Sequence, residues 1–285
     1  MRVAFVGLGV MGFPMAGHLA GAGHEVRVFN RSPDKTKRWL AEYSGTTENG
    51  LADVVAGCEA VALCVGNDAD VRECLAIALP TMAANGVVID HTTTSAKLAK
   101  ESAAQARDLG RWFVDAPVSG GEAGARNGTL SVMAGGQPEG FAKAEPVMAA
   151  YAKAVKRIGG PGSGQLAKMV NQICIAGVVQ GLAEAVHFAK SANLDAGAVL
   201  EAVSKGAAQS WQMDNRWKTM VEGRFDFGFA VDWMRKDLGL VLDEARSNGA
   251  SLALTAMVDQ FYAEVQAMGG RRWDTSSLAA RLERS

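Results

Sequence analysis

The segment from Arg2 to Gly12 restricts this chain more than any other. Arg2–Val6 is a short run of β-branched and aromatic residues, and Gly7-Leu8-Gly9-Val10-Met11-Gly12 follows at once. Phe13–Ala22 reads as a helix stopped by Gly23, and Glu25–Asn30 as a second strand. A glycine-rich hexapeptide alone is a weak signal. Set between a strand and a helix, with another strand within about 30 residues, it is the dinucleotide-binding arrangement. Gly7 permits the tight turn, Gly9 lets the backbone approach a pyrophosphate, and Gly12 allows close helix-to-strand packing. The helix N-terminus offers N–H groups and the positive end of its dipole to the phosphates. Leu8, Val10 and Met11 complete the cofactor loop.

The end of the second strand chooses between cofactors. A carboxylate there would accept from the ribose 2′-hydroxyl of NAD. This chain carries Asn30-Arg31-Ser32 instead. Arg31 can take a 2′-phosphate through a charge-assisted fork, and Ser32 can add a hydroxyl, so NADP is expected rather than NAD. The alternation then continues. Ala60–Val65 is a third strand running into Gly66-Asn67-Asp68, and Gly86–Asp90 a fourth ending in His91-Thr92-Thr93-Thr94-Ser95. Loops past the carboxyl ends of parallel strands are where such sheets bind ligands, which makes Val65, Gly66, Asn67 and Thr93 expected cofactor neighbours. Thr94 or Ser95 caps the helix over Lys97–Leu109. Trp112–Val114 begins a further strand.

Composition narrows the class. The 285 residues allow about two domains. With 48% apolar and 21% charged residues, the chain is neither disordered nor a disulfide scaffold. A net charge of -1 gives no bulk attraction to nucleic acid or an anionic membrane. The four cysteines form no C-x-x-C pair, and the four histidines have no zinc-site spacing, so no metal is expected. Met1–Met15 makes a poor signal peptide, and no run approaches the roughly 18 uninterrupted apolar residues of a membrane span. The expectation is a cytoplasmic protein without nucleic-acid or membrane partners.

Two further motifs carry chemistry. Val118-Ser119-Gly120-Gly121 sets several backbone N–H groups beside one hydroxyl, a cradle for a carboxylate. Gly159-Gly160-Pro161-Gly162-Ser163-Gly164 is the strongest punctuation in the chain and the natural domain boundary. It divides residues 1–161 from residues 162–285. Beyond it, Gln165–Asn193 reads as one long apolar helix to be buried in a helical domain or against another subunit. Lys168 lies in its first turns, with Asn171 and Gln172 three and four residues on, all on one face. Ala196–Lys205, Lys236–Ser247 and Leu252–Met268 are also helical in character.

These segments together resemble the β-hydroxyacid dehydrogenase family, which includes 3-hydroxyisobutyrate dehydrogenase and tartronate semialdehyde, glyoxylate and succinic semialdehyde reductases. The resemblance spans nearly the whole chain. It rests on Gly7 to Met15, on Asp115-Ala116-Pro117-Val118-Ser119-Gly120-Gly121, on Gly162-x-Gly164-x-x-x-Lys168 and on Lys236-Asp237-Leu238. It implies a Rossmann-type doubly wound parallel sheet followed by an all-α domain, joined by a long helix. By the same resemblance Lys168 is the catalytic acid and base, and Ser119, Gly120 and Gly121 bind the substrate carboxylate. Phe229, Lys236 and Asp237 close over the site, with Lys236 on the cofactor side. The family commonly has asparagine four residues after the lysine; here Gln172 stands there and Asn171 precedes it, leaving both amides as candidates to orient the substrate. The implied partner is a small carboxylate-bearing aldehyde or hydroxy acid, and the implied assembly a homodimer or homotetramer. The rival readings are an imine reductase, whose members usually lack the lysine, and a non-catalytic NADP-binding module, which would not retain Ser119, Gly120, Gly121 and Lys168 together.

Overall fold

A computed structural model describes residues 1–283, and its contacts divide the chain into two compact units, between Lys168 and Met169. The first contains β1 (Arg2–Val6), α1 (Gly12–Gly21), β2 (Glu25–Phe29), α2 (Pro33–Glu42), α3 (Leu51–Val55), β3 (Ala60–Leu63), α4 (Asp68–Thr81), β4 (Val87–Asp90) and α5 (Ala96–Asp108). It continues with β5 (Trp112–Asp115), β6 (Val118–Ser119), α6 (Gly121–Arg126), β7 (Leu130–Gly136), α7 (Pro138–Met148) and β8 (Ala152–Gly159). The long α8 (Ser163–Ser191) begins in this unit.

β2, β1, β3, β4 and β5 lie side by side, and every pair among them is parallel. Both faces are covered, as all-parallel sheets require. Val3, Phe5, Ala60, Ala62, Val87 and Ile89 enter one core, while Ala4, Val6, Val61, Leu63 and Val88 enter the other. That is why these strands read as continuous apolar runs rather than alternating ones. Outside β2, Thr46 makes a one-residue parallel bridge to Arg27, with Val28 N–H donating to Thr46 O at 2.9 Å and Thr46 N–H to Val26 O at 3.0 Å. Counted as a strand, this bridge supplies the outer strand of a Rossmann sheet.

The far side of the sheet is mixed. β7 runs antiparallel to β5 and β6, which share one of its edges, and parallel to β8 on the other. Pro117 separates β5 from β6 and interrupts their edge. β8 is the edge strand, and exposed Lys153 and Lys156 guard it against pairing with another chain. Under this half lies a buried polar chain. The Tyr151 hydroxyl donates to His91 Nε2 at 2.8 Å, and His91 Nδ1 donates to the Ala116 carbonyl at 2.7 Å. Burial pushes the imidazole down to about 4, which fixes it as the neutral ring that this pattern needs.

The second unit holds the rest of α8, then α9 (Ala196–Val203), α10 (Trp211–Val221), α11 (Val231–Asn248), α12 (Ala253–Ala267) and α13 (Leu278–Leu282), with a 3₁₀ turn at Thr275–Ser277. Its described residues contain no strand. α8 is long and apolar enough to pass as a membrane span by composition, yet Ala176, Val179, Leu182, Ala183 and Val186 lie in this unit's core beside Met213, Trp217, Met234 and Tyr262.

Tyr151→Phe removes the donor to His91 Nε2 and leaves a buried acceptor without a partner. The expected cost is about 1–3 kcal/mol, read from urea unfolding of the variant against wild type.

Candidate active site

The turn after β1 is shaped by the exclusion of side chains. Gly7 has φ 100°, and a Cβ there would stand 2.2 Å from the Cys64 carbonyl oxygen. A Cβ on Gly12 would stand 2.0 Å from the Gly7 carbonyl oxygen. Internal packing therefore demands glycine at both positions. Gly9 differs, because a Cβ there meets no atom within 4 Å. The fold has no internal need for this glycine; an approaching pyrophosphate supplies one. α1 begins without a side-chain cap, so its first-turn N–H groups have no side-chain acceptor in the way of such a ligand. These residues fit a dinucleotide.

The neighbouring loops are tied to this one. Asn30 Oδ1 accepts from Leu8 N–H at 3.0 Å, and Asn30 Nδ2 donates to Ser32 O at 3.2 Å, so Asn30 braces the glycine loop against the end of β2. Arg31 Nη1 stands 3.1 Å from Asp70 Oδ1, and the other Asp70 oxygen accepts from Gly66 N–H at 3.1 Å. The carboxylate that the sequence lacks at the end of β2 is thus brought there by α4. Asn67 is spent as the N-cap of α4, accepting from Asp70 N–H at 3.0 Å. Ser32 is the N-cap residue of α2 and makes no side-chain cap bond. Ser95 caps α5, accepting from Leu98 N–H at 3.0 Å. Val65 N–H donates to Thr92 Oγ1 at 3.1 Å, and Gln165 holds both sides of Thr93: its Nε2 donates to Thr92 O at 2.8 Å and its Oε1 accepts from Thr94 N–H at 3.1 Å.

Asp115, fully buried at the end of β5, organises the start of α8. Its Oδ1 accepts from Gly162 N–H at 2.8 Å and its Oδ2 from Gln165 N–H at 3.0 Å. A Cβ on Gly135 would lie 2.6 Å from this carboxylate, and one on Gly164 2.5 Å from the Asp115 and Met133 carbonyl oxygens. Burial pushes the Asp115 carboxyl up to about 7 against the pull of these N–H donors. One turn after this anchored end comes Lys168. It is buried, and its Nζ donates to the Val118 carbonyl at 2.9 Å. The ammonium is thereby held beside Ser119, Gly120 and Gly121. Gly120 at φ 130° and Gly121 at φ 60° turn the chain into α6 with a backbone that other residues rarely adopt.

In the second unit Asn171, Gln172, Lys236 and Asp237 form one connected group. Asn171 Nδ2 donates to Gln172 Oε1 at 2.8 Å, and Gln172 Nε2 donates to Asp237 Oδ2 at 2.7 Å. Lys236 Nζ pairs with Asp237 Oδ1 at 3.2 Å. Gln172 and Asp237 are buried, so both ends of the Gln172 amide are committed inside the helices. The Phe229 N–H donates to Asp274 Oδ2 at 2.9 Å. Asp274 is fully buried and also takes Arg216 Nε at 3.0 Å and the Ser276 hydroxyl at 2.6 Å. Among the described residues no cluster of three metal-ligating side chains occurs.

A family model described as the NAD binding domain of 6-phosphogluconate dehydrogenase matches residues 2–160. A second, described as NAD-binding of NADP-dependent 3-hydroxyisobutyrate dehydrogenase, matches residues 162–282. The chain belongs to the β-hydroxyacid dehydrogenase family. Its family relatives include an uncharacterized oxidoreductase of Shewanella frigidimarina, 58% identical over 100% of this chain and 99% of that protein. The 2-hydroxy-3-oxopropionate reductase of Escherichia coli is 32% identical over 99% and 97%. The solved structure of Mycobacterium tuberculosis 3-hydroxyisobutyrate dehydrogenase with L-serine matches with a TM-score of 0.90 and 31% identity, covering 99% of each chain. As a member of this family, the chain is an NAD(P)-dependent oxidoreductase. Asp70 and Gln165 are residues of its cofactor unit that motif reading does not reach, and Asp115 stands in a quoted motif without an assigned role. The signal available for Asp115 was a lone acid directly before Ala116-Pro117; Asp70 gave none.

Gly9→Ala should leave thermal unfolding within a degree or two of wild type while weakening dinucleotide binding tenfold or more, about 1.4 kcal/mol, by calorimetric titration. A second expectation concerns Asp90, which is buried and accepts from Thr92 N–H at 3.0 Å. Burial pushes its carboxyl up to about 7 from the ordinary 3.8. A carboxyl raised on folding favours the native state below pH 4, and this contribution is lost as pH rises through 7. Asp90→Asn has no proton to lose, so from pH 4 to 8 its stability relative to wild type should rise by about 4 kcal/mol in urea melts.

Proposed function

We propose that this chain is an NADPH-dependent oxidoreductase interconverting a small β-hydroxy acid and its semialdehyde, with Lys168 as general acid and base. The observation that carries the reading is the hydrogen bond from Lys168 Nζ to the Val118 carbonyl, 2.9 Å long, which holds a buried ammonium against the Ser119-Gly120-Gly121 loop. A carboxylate seated on the backbone N–H groups of that loop, with the Ser119 hydroxyl beside it, brings the substrate's carbonyl to the lysine, a contribution of proximity. The nicotinamide, when bound, supplies the hydride in reduction or accepts it in oxidation. Lys168 gives a proton to the alkoxide oxygen as the aldehyde is reduced, and in the reverse direction it takes the hydroxyl proton as a neutral amine.

Gly7, Gly9 and Gly12 would hold the pyrophosphate, Arg31 and Ser32 the 2′-phosphate, and Val65, Gly66 and Thr93 the remainder of the cofactor. Asn171 and Gln172 are the two amides proposed to orient the substrate; they are bonded to each other, and Gln172 also to Asp237. Phe229, Lys236 and Asp237 are read as the cover of the site, by family likeness. Exposed Val170, Val178 and Phe188 on α8 support a homo-oligomer in which another subunit buries them. A cytoplasmic setting belongs to the same reading.

Oxidation of NADPH should be followed with glyoxylate and with tartronate, succinic and methylmalonate semialdehydes. Lys168→Ala should lower kcat on the best substrate about 10²–10⁴-fold with dinucleotide affinity unchanged. Turnover surviving in the variant removes Lys168 as the proton donor. Silence of the wild-type protein across the panel, with NADPH still bound, rejects the semialdehyde assignment.

A further inference from the structure

Arg31 follows β2 and Asp70 lies in the first turn of α4, which follows β3; β1 runs between those two strands. The Arg31–Asp70 ion pair therefore crosses the carboxyl end of β1, where the glycine loop begins. The two partners are unequally fixed. Asp70 is 14% exposed, tied to Gly66 N–H, and placed at a helix N-terminus that favours its charge. Arg31 is 77% exposed, with Nη1 3.1 Å from Asp70 Oδ1.

We propose that Asp70 sets the cofactor preference of this enzyme by competing with a 2′-phosphate for Arg31. The inference rests on the NADP reading and names the residue that limits it. A bidentate grip on phosphate needs two guanidinium nitrogens on one edge, and Asp70 pairs with Nη1 while placing a fixed negative charge beside the incoming dianion. An unphosphorylated ribose meets neither penalty. The exposed pair is weak enough to be displaced, so Asp70 narrows the preference for the phosphorylated cofactor without abolishing it.

The test is calorimetric titration of the purified full-length protein with 2′,5′-ADP and with 5′-ADP at low ionic strength. Asp70→Asn keeps an oxygen for Gly66 N–H and removes the charge. It should bind 2′,5′-ADP about 3- to 10-fold more tightly, with 5′-ADP unchanged within about twofold, and the gain should shrink as salt is added. In an Arg31→Ala background the gain should vanish. Asp70→Asn that leaves 2′,5′-ADP unchanged, weakens it, or tightens both ligands alike overturns the proposal, as does a gain that persists without Arg31. The two readings fail separately. If wild type prefers 2′,5′-ADP through Arg31 and Asp70→Asn changes nothing, the NADP reading stands and this proposal falls. If neither protein prefers 2′,5′-ADP, both fall. A preference appearing only in Asp70→Asn supports the proposal and shows Arg31 masked in the wild type.

Discussion

A single buried carboxylate makes the cofactor unit what it is. Asp115 ends β5 and accepts from N–H groups at the opening of α8, so its side chain ties the sheet to the start of that helix. A carboxylate at a helix N-terminus meets both the orphan donors and the positive end of the dipole. It is nonetheless expensive to bury, and burial prevails in raising its carboxyl to about 7. The surroundings show how tightly the arrangement is drawn: Gly135 and Gly164 have no room for even a methyl group against it. The direction in which α8 leaves the sheet follows from this anchor, and with it the position of Lys168, one turn along, against the Val118 carbonyl. Lys168, the proton donor of the proposed reaction, is placed by a hydrogen bond to backbone, from an element whose own start is fixed by hydrogen bonds to the Asp115 carboxyl.

The same economy governs the loops at the carboxyl ends of the other strands. Polar side chains there spend themselves on holding backbone, which leaves backbone and glycine to face a ligand. Asn30 braces Leu8, Asn67 caps α4, Gln165 clamps both sides of Thr93, and Asp70 secures Gly66. A dinucleotide's phosphates need N–H groups held still more than they need side chains, because a preorganised donor loses no freedom on binding. His91 and Tyr151 serve the same end from below, satisfying the Ala116 carbonyl just before the chain turns at Pro117 toward Ser119.

Much of this was legible in the residues alone. Strands buried on both faces announce themselves as unbroken apolar runs, and β1, β3 and β4 fall where Arg2–Val6, Ala60–Val65 and Gly86–Asp90 predict them. The glycine loop and the long helix carry equally local signals. The mixed edge of the sheet does not. β6 is two residues long, and β8, with Lys153, Lys156 and Arg157, has the polar pattern of an edge strand that also fits a loop. The helices α2, α3, α4, α6, α7 and α10 were not singled out either; several are short, and α4 and α7 carry an internal proline that obscures their period.

The argument from charge at Asn30-Arg31-Ser32 shows the sharper limit. No carboxylate lies at the end of β2 in sequence. Topology supplies one from 39 residues further along, because β2 and β3 flank β1 and their following loops face the same crevice. Under the proposal made for Asp70, cofactor selection in this sheet is a property of two loops rather than one. Whatever α4 presents in its first turn acts on the guanidinium that β2 presents, and a helix N-terminus is where a carboxylate is most readily kept charged. In that proposal the arginine after β2 receives the 2′-phosphate, and the residue facing it from α4 decides how strongly.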